Sequence, residues 1–204
     1  MNDPDVYTVL ASEGFAEIKV KGSRFLGYAY PVRDAGEAGE RIEALRKKYH
    51  DATHVCFGWR IGHGDGYEQK AADAGEPFGT AGAPIVHALE RAGASDAAVA
   101  VVRYYGGVKL GTGGLIRAYG GCAREAIDAA SLASRTLRAP LAVTFAYPQA
   151  GAVLRLAEKH GARTESSDYG EEVRLDLAVP ASRVERLKEQ LIEATAGAVR
   201  FPGK

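Results

Sequence analysis

The chain has 204 residues, 46% hydrophobic and 25% charged: enough apolar material for one large domain or two small ones, and too much for a disordered chain. Its 26 basic residues balance 26 acidic ones, which excludes wrapping of nucleic acid by net charge and leaves only local cationic contact. No apolar run approaches the roughly 20 residues of a membrane helix, and the opening MNDPDVYTVL has no cationic-then-apolar signal pattern, so a cytoplasmic protein without a membrane partner is expected.

Strands are predicted over 15–20 and 24–32, with a hairpin break at Lys21-Gly22-Ser23. Asp34 is placed to cap a helix running to about Tyr49, with Ile42, Leu45 and Tyr49 at helical spacing. THVCFGWRIG at 53–62 is aromatic and β-branched and reads as a strand. GHGDGYEQKAADAGEPFG at 62–79, rich in glycine and acids, reads as a long surface loop. Thr80 is expected to cap the next helix, whose Ile85, Val86, Leu89 and Ala92 share a face and which stops at Gly93.

A buried strand follows at 96–103, containing AAVAVVR, and then a glycine-rich segment. From about Thr112 a helix is predicted to about Ser134, with Leu115, Tyr119, Cys122, Ala126 and Ala129 on one face. Pro140 marks a domain boundary, giving 1–138 and 139–204. The second part reads as strand 141–147, helix 149–160, strands 162–167 and 173–179, helix 181–194 and strand 197–201, the ferredoxin-like order.

The segment VVRYYGGVKLGTGGLIRAYGG at 101–121 asks for an explanation, because glycine costs backbone entropy in ordered structure. It is not a dinucleotide fingerprint, since Ile116 stands where the third glycine belongs, and it lacks the Gly-Lys-Ser/Thr of a P-loop. A glycine turn opening a helix still presents backbone N–H groups to an anion. Arg103, Lys109, Gly111, Thr112, Gly113, Gly114 and Arg117 are therefore the candidate anion- or nucleic-acid-binding residues, with Arg124 further along; no acid lies between 97 and 124. The other reading is that the glycines serve close packing and the cations face water.

Catalytic patterns are weak. Asp73 and Glu76 form the only carboxylate pair considered for acid–base work. His63 and Asp65, with Glu68, Asp73 or Glu76, offer metal-ligand chemistry, but a loop with several acids reads as solvated, so no metal and no cofactor are expected. Cys56 and Cys122 are too few for a zinc knuckle and are read as buried free thiols.

DAGEPFGTAGAPI at 73–85 and VVRYYGGVKLGTGGLIRAYG at 101–120 strongly resemble the YigZ/Impact family; KGSRFLGYAYPV at 21–32 and ATHVCFGWRIG at 52–62 resemble its other N-terminal blocks. The resemblance implies an α/β (α+β) fold: an N-terminal domain similar to the second domain of ribosomal protein S5, then a ferredoxin-like domain, a pair that looks like the fourth and fifth domains of elongation factor G. Phe78 departs from the small residue usual in the family and is expected to crowd its loop. Eukaryotic relatives regulate translation through a further N-terminal domain, so that partner role is not carried over. Some bacterial members have been labelled proline dipeptidases, but no metal-ligand set here supports that label. The expected function is a non-enzymatic, translation-associated binding protein acting on RNA, the ribosome or a translation-related protein. The alternative is an enzyme or binder acting on a nucleotide or phosphorylated small molecule at the same loop.

Overall fold

The structure, a computed structural model, describes residues 3–63 and 66–203. In chain order its elements are β1 (Val6–Leu10), β2 (Gly14–Val20), β3 (Ser23–Pro31), α1 (Ala35–Lys48), β4 (His54–Ile61), β5 (Glu68–Ala72), α2 (Gly82–Arg91), β6 (Ala97–Tyr104), α3 (Thr112–Ala130) and β7 (Leu132–Thr136). Then follow β8 (Arg138–Phe145), α4 (Ala150–Lys159), β9 (Arg163–Tyr169), β10 (Val173–Pro180) and α5 (Val184–Ala194). Backbone contacts divide them into Tyr7–Arg135 and a second unit of Thr136–Lys204 joined by the residues up to Val6.

The first unit is built on a five-stranded sheet in the order β2-β3-β6-β4-β5. β6 is antiparallel to both neighbours and buried on both faces, which is why its sequence, AAVAVVRY, is apolar without alternation. One face, carrying Phe25, Cys56, Val99 and Val101, packs on Ile85 and Leu89 of α2 and on Leu115, Tyr119 and Ile127 of α3. The other, with Leu26, Val55, Phe57 and Trp59, packs on Ala38, Ile42 and Leu45 of α1. Asp34 caps α1 by accepting from the Glu37 N–H, as predicted.

The second unit carries the antiparallel sheet β8-β10-β9 around Val143, Phe145, Leu175, Leu177, Leu187 and Leu191. The strand expected at 197–201 is reduced to one antiparallel bridge between Thr144 and Arg200, on the far side of β8 from β10. This gives the ferredoxin-like strand order. Residues 3–6 fold onto this unit: both Asp5 carboxylate oxygens accept from Ser182, at 2.9 Å from its N–H and 2.7 Å from its hydroxyl.

Further elements differ from expectation. Residues 68–72, taken as surface loop, form β5, because the exposed edge of β4 supplies ladder partners from Phe57 to Ile61. β1 and β7 were not foreseen; they pair with each other as a two-stranded sheet. α3 ends at Ala130 rather than near Ser134, since Ser131 adopts a left-handed φ of 58° and turns the chain into β7.

Candidate functional site

The two sequence blocks that prompted a functional reading are joined through one buried carboxylate. Glu76 stands in the connection between β5 and α2, with its side chain only 4% exposed. Its Oε1 accepts from Arg103 Nη1 at 2.6 Å and from the Tyr119 hydroxyl at 2.7 Å. His54 Nδ1 donates to the Ala74 carbonyl at 2.9 Å, and its Nε2 lies 3.9 Å from the same Glu76 oxygen. Three distant elements, β4, β6 and α3, thus converge on the 73–82 connection.

Arg103 is the one charge that β6 carries, and it is 5% exposed. Its guanidinium lies over the Phe25 ring at 5.4 Å and the Tyr105 ring at 5.6 Å. Nη2 reaches Ser23 Oγ at 3.4 Å, while Nε is buried with no hydrogen-bond partner among the described residues. A buried guanidinium needs a counter-ion, and Glu76 supplies it. Tyr119 remains a neutral donor: burial, with Cys56 and Glu76 alongside, pushes its phenol far above the usual range.

Asp73 has a different task. Its Oδ1 accepts from the N–H groups of Ala81 and Gly82 at 2.9 Å, and its Oδ2 from Gly79 N–H at 2.8 Å. Partial burial disfavours the charge, but these three backbone donors outweigh it and hold the carboxyl below its ordinary value. Asp73 therefore caps α2 from eight residues upstream of its N-cap, Ala81, a role assigned to Thr80 from sequence. The Thr80 hydroxyl instead donates to Pro77 O at 2.7 Å. Both carboxylates of the candidate acid–base pair are engaged in holding this connection in shape. Phe78 does not crowd it: its side chain is 100% exposed.

The Cys56 thiol donates to the Asp73 carbonyl at 2.9 Å, and burial pushes it up to about 12; burial does the same to Cys122. Neither is ionised near neutral pH. Of the metal reading, Asp65 lies outside the described residues, and His63 stacks on Tyr7 at 4.9 Å. Glu68 is exposed on β5.

The glycines of the turn into α3 serve different needs. At Gly106 a Cβ would stand 1.9 Å from the Gly22 carbonyl carbon, so close approach of two backbones demands glycine there. Gly111 is the N-cap of α3 at φ 70°, a left-handed conformation with open space around it. Gly113 has neither excuse: a Cβ there meets nothing nearer than Arg117 Nη1 at 3.5 Å. No side chain caps α3, and its first turn holds no acid. Lys109, Gly111, Thr112, Gly113 and Arg117 are exposed, Gly114 is partly covered by Leu110, and Arg124 is exposed further along. Arg103, by contrast, faces inward and is neutralised.

Sequence reasoning missed Ser23, His54 and Tyr119 as members of the cluster. One signal was present: an arginine ending a wholly apolar strand must find a buried partner.

Comparison with known proteins matches residues 21–127 to the Impact N-terminal domain and residues 143–198 to a domain of unknown function, DUF1949. The chain is similar to the IMPACT family member YvyE of Bacillus subtilis, at 33% identity over 191 residues covering 94% of this chain and 88% of that protein. It is 32% identical over 184 residues to the IMPACT family member YigZ of Escherichia coli, covering 90% of each. A crystal structure of a hypothetical protein superposes with a TM-score of 0.69 at 29% identity, covering 98% of both chains.

Proposed function

The chain belongs to the IMPACT family, and from that premise we propose that it is a non-enzymatic binding protein of the translation apparatus that takes RNA phosphates at the turn into α3. The observation that carries this reading is the uncapped, acid-free N-terminus of α3. Thr112, Gly113 and Gly114 hold first-turn N–H groups that no side chain caps. Anions are favoured at such an end by the helix dipole and the free donors. Lys109 precedes it and Arg117 follows one turn later, both exposed.

The same geometry weighs against general acid–base chemistry by Asp73 and Glu76. Asp73 is a cap with both oxygens accepting backbone N–H groups, and Glu76 is a counter-ion whose Oε1 is held by Arg103 and Tyr119. Family membership and the S5-like and ferredoxin-like architecture support a translational partner.

The test is binding of the full chain to ribosomes by sedimentation and to single-stranded RNA by fluorescence anisotropy at low ionic strength. Binding is expected, and Lys109→Ala with Arg117→Ala is expected to weaken it about ten-fold or more. Absence of binding to both targets by the parent protein at low salt overturns the proposal.

A further inference from the structure

Phe78 is 100% exposed, yet it sits on a stretch tethered on both sides. Asp73 holds three backbone N–H groups on one side of it, Glu76 is fixed by Arg103 and Tyr119 two residues before it, and Thr80 closes back on Pro77 through both its N–H and its hydroxyl. An aromatic ring displayed on a fixed support loses little further freedom on binding, which is what makes a contact energetically useful. Fully exposed, the ring contributes no burial to the fold, and its apolar surface remains available to a partner.

The surroundings select the partner. Glu76 bonds Tyr119, and seven residues before Tyr119 on α3 lies Thr112, two helical turns away and on the same face. The helix end is thus about 10 Å along the axis from Tyr119, whose hydroxyl bonds the carboxylate two residues before Phe78. Between them the same face presents Ile116, 45% exposed. Tyr105, 46% exposed, stacks on the Arg103 guanidinium that holds Glu76. Over 73–82 and 103–119 the only acids are Asp73 and Glu76, and both are engaged with protein donors. Within these two segments the exposed charges are Lys109 and Arg117, and Asp51 lies at their margin, accepting from the Tyr104 hydroxyl at 2.8 Å. An aromatic ring displayed on a connection tied to α3, whose uncapped end is flanked by Lys109 and Arg117, matches a polyanion whose bases have free π-faces, and does not match an acidic or amphipathic peptide specifically.

We propose that Phe78 is a base-stacking platform for single-stranded RNA whose phosphates lie along the α3 end. This rests on the RNA reading above and adds to it the chemical feature being read: an unpaired base, in a sequence-tolerant way. Phe78 is then this chain's own addition to a surface whose phosphate contacts do not depend on it.

The test compares two fluorescent strands of equal length and charge, ten uridines and an abasic strand, for the parent chain and for Phe78→Ala. The exposed position makes the substitution harmless to folding, which circular dichroism and thermal midpoint check. The parent is expected to prefer the uridine strand about ten-fold or more, and Phe78→Ala to erase that preference without changing its affinity for the abasic strand. If Phe78→Ala keeps the preference, stacking by Phe78 is overturned while phosphate binding at α3 stands. If the parent binds neither strand at low salt, the RNA reading itself is overturned, and this inference with it.

Discussion

Glu76 and Arg103 stand 27 residues apart in the chain and 2.6 Å apart in the fold, with both side chains almost wholly buried. Their pairing fastens the 73–82 connection to the end of β6 and, through Tyr119, to α3. The exposed surface proposed to meet RNA therefore rests on a carboxylate that is itself almost wholly buried.

Removing one partner of a buried ion pair strands the other. Glu76→Ala should destabilise the first unit by about 3–5 kcal/mol, and the double variant Glu76→Gln with Arg103→Met should recover a substantial part. Urea unfolding of the parent and these two variants measures this. Equal losses in the single and double variants would mean that the pair is not coupled.

The Asp73 carboxyl titrates below its unfolded value, so the stability it contributes is present above about pH 4 and lost as pH falls through its lower folded value. Asp73→Asn should be less stable than the parent at pH 7, and the gap should narrow below about pH 4. Thermal midpoints across pH 2.5–7, on the order of that window, report it. A gap independent of pH would remove the charged cap from the account.

Much of this architecture was legible in the chain. Asp34 announced α1, the unbroken apolar AAVAVVRY announced a central strand, and the block order after Pro140 announced the ferredoxin-like unit. What escaped lacked a local signal. EQKAA has neither β-branched residues nor alternation, and becomes β5 only because β4 offers an unpaired edge. Ser131 breaks α3 with a positive φ that neither glycine nor proline foretold. That Lys109 and Arg117 flank a glycine turn opening α3 was readable from their spacing. The partnership of Glu76, Arg103, Tyr119 and His54 was not, because it is made by sheet order and helix packing rather than by spacing.

The glycines of the α3 turn should separate into two kinds. Gly106→Ala forces a methyl group into the Gly22 backbone and should cost about 1–3 kcal/mol. Gly113→Ala meets only the flexible end of Arg117 and should leave the fold as stable or raise it by about 0.5–1 kcal/mol, while weakening RNA binding by crowding the exposed first turn. Unfolding and anisotropy on the same two proteins decide it. A Gly113→Ala protein that binds RNA like the parent would make this glycine incidental.

Both thiols are buried and held near 12, so native protein at pH 8 should resist iodoacetamide for hours and react at both cysteines once unfolded in denaturant. Mass spectrometry after timed quenching follows the reaction. Rapid labelling of Cys56 in the native state would show that the β4 face opens beneath the Glu76 connection.

The central claim is that phosphates are neutralised at the turn into α3, and the salt dependence of RNA affinity tests it most directly. Each single-strand phosphate contact contributes a slope of about −0.7 in log Kobs against log salt. The slope for the parent chain should therefore be steeper than that of the Lys109→Ala, Arg117→Ala protein by about 1.4, two contacts' worth. Identical slopes for the two proteins would contradict the account.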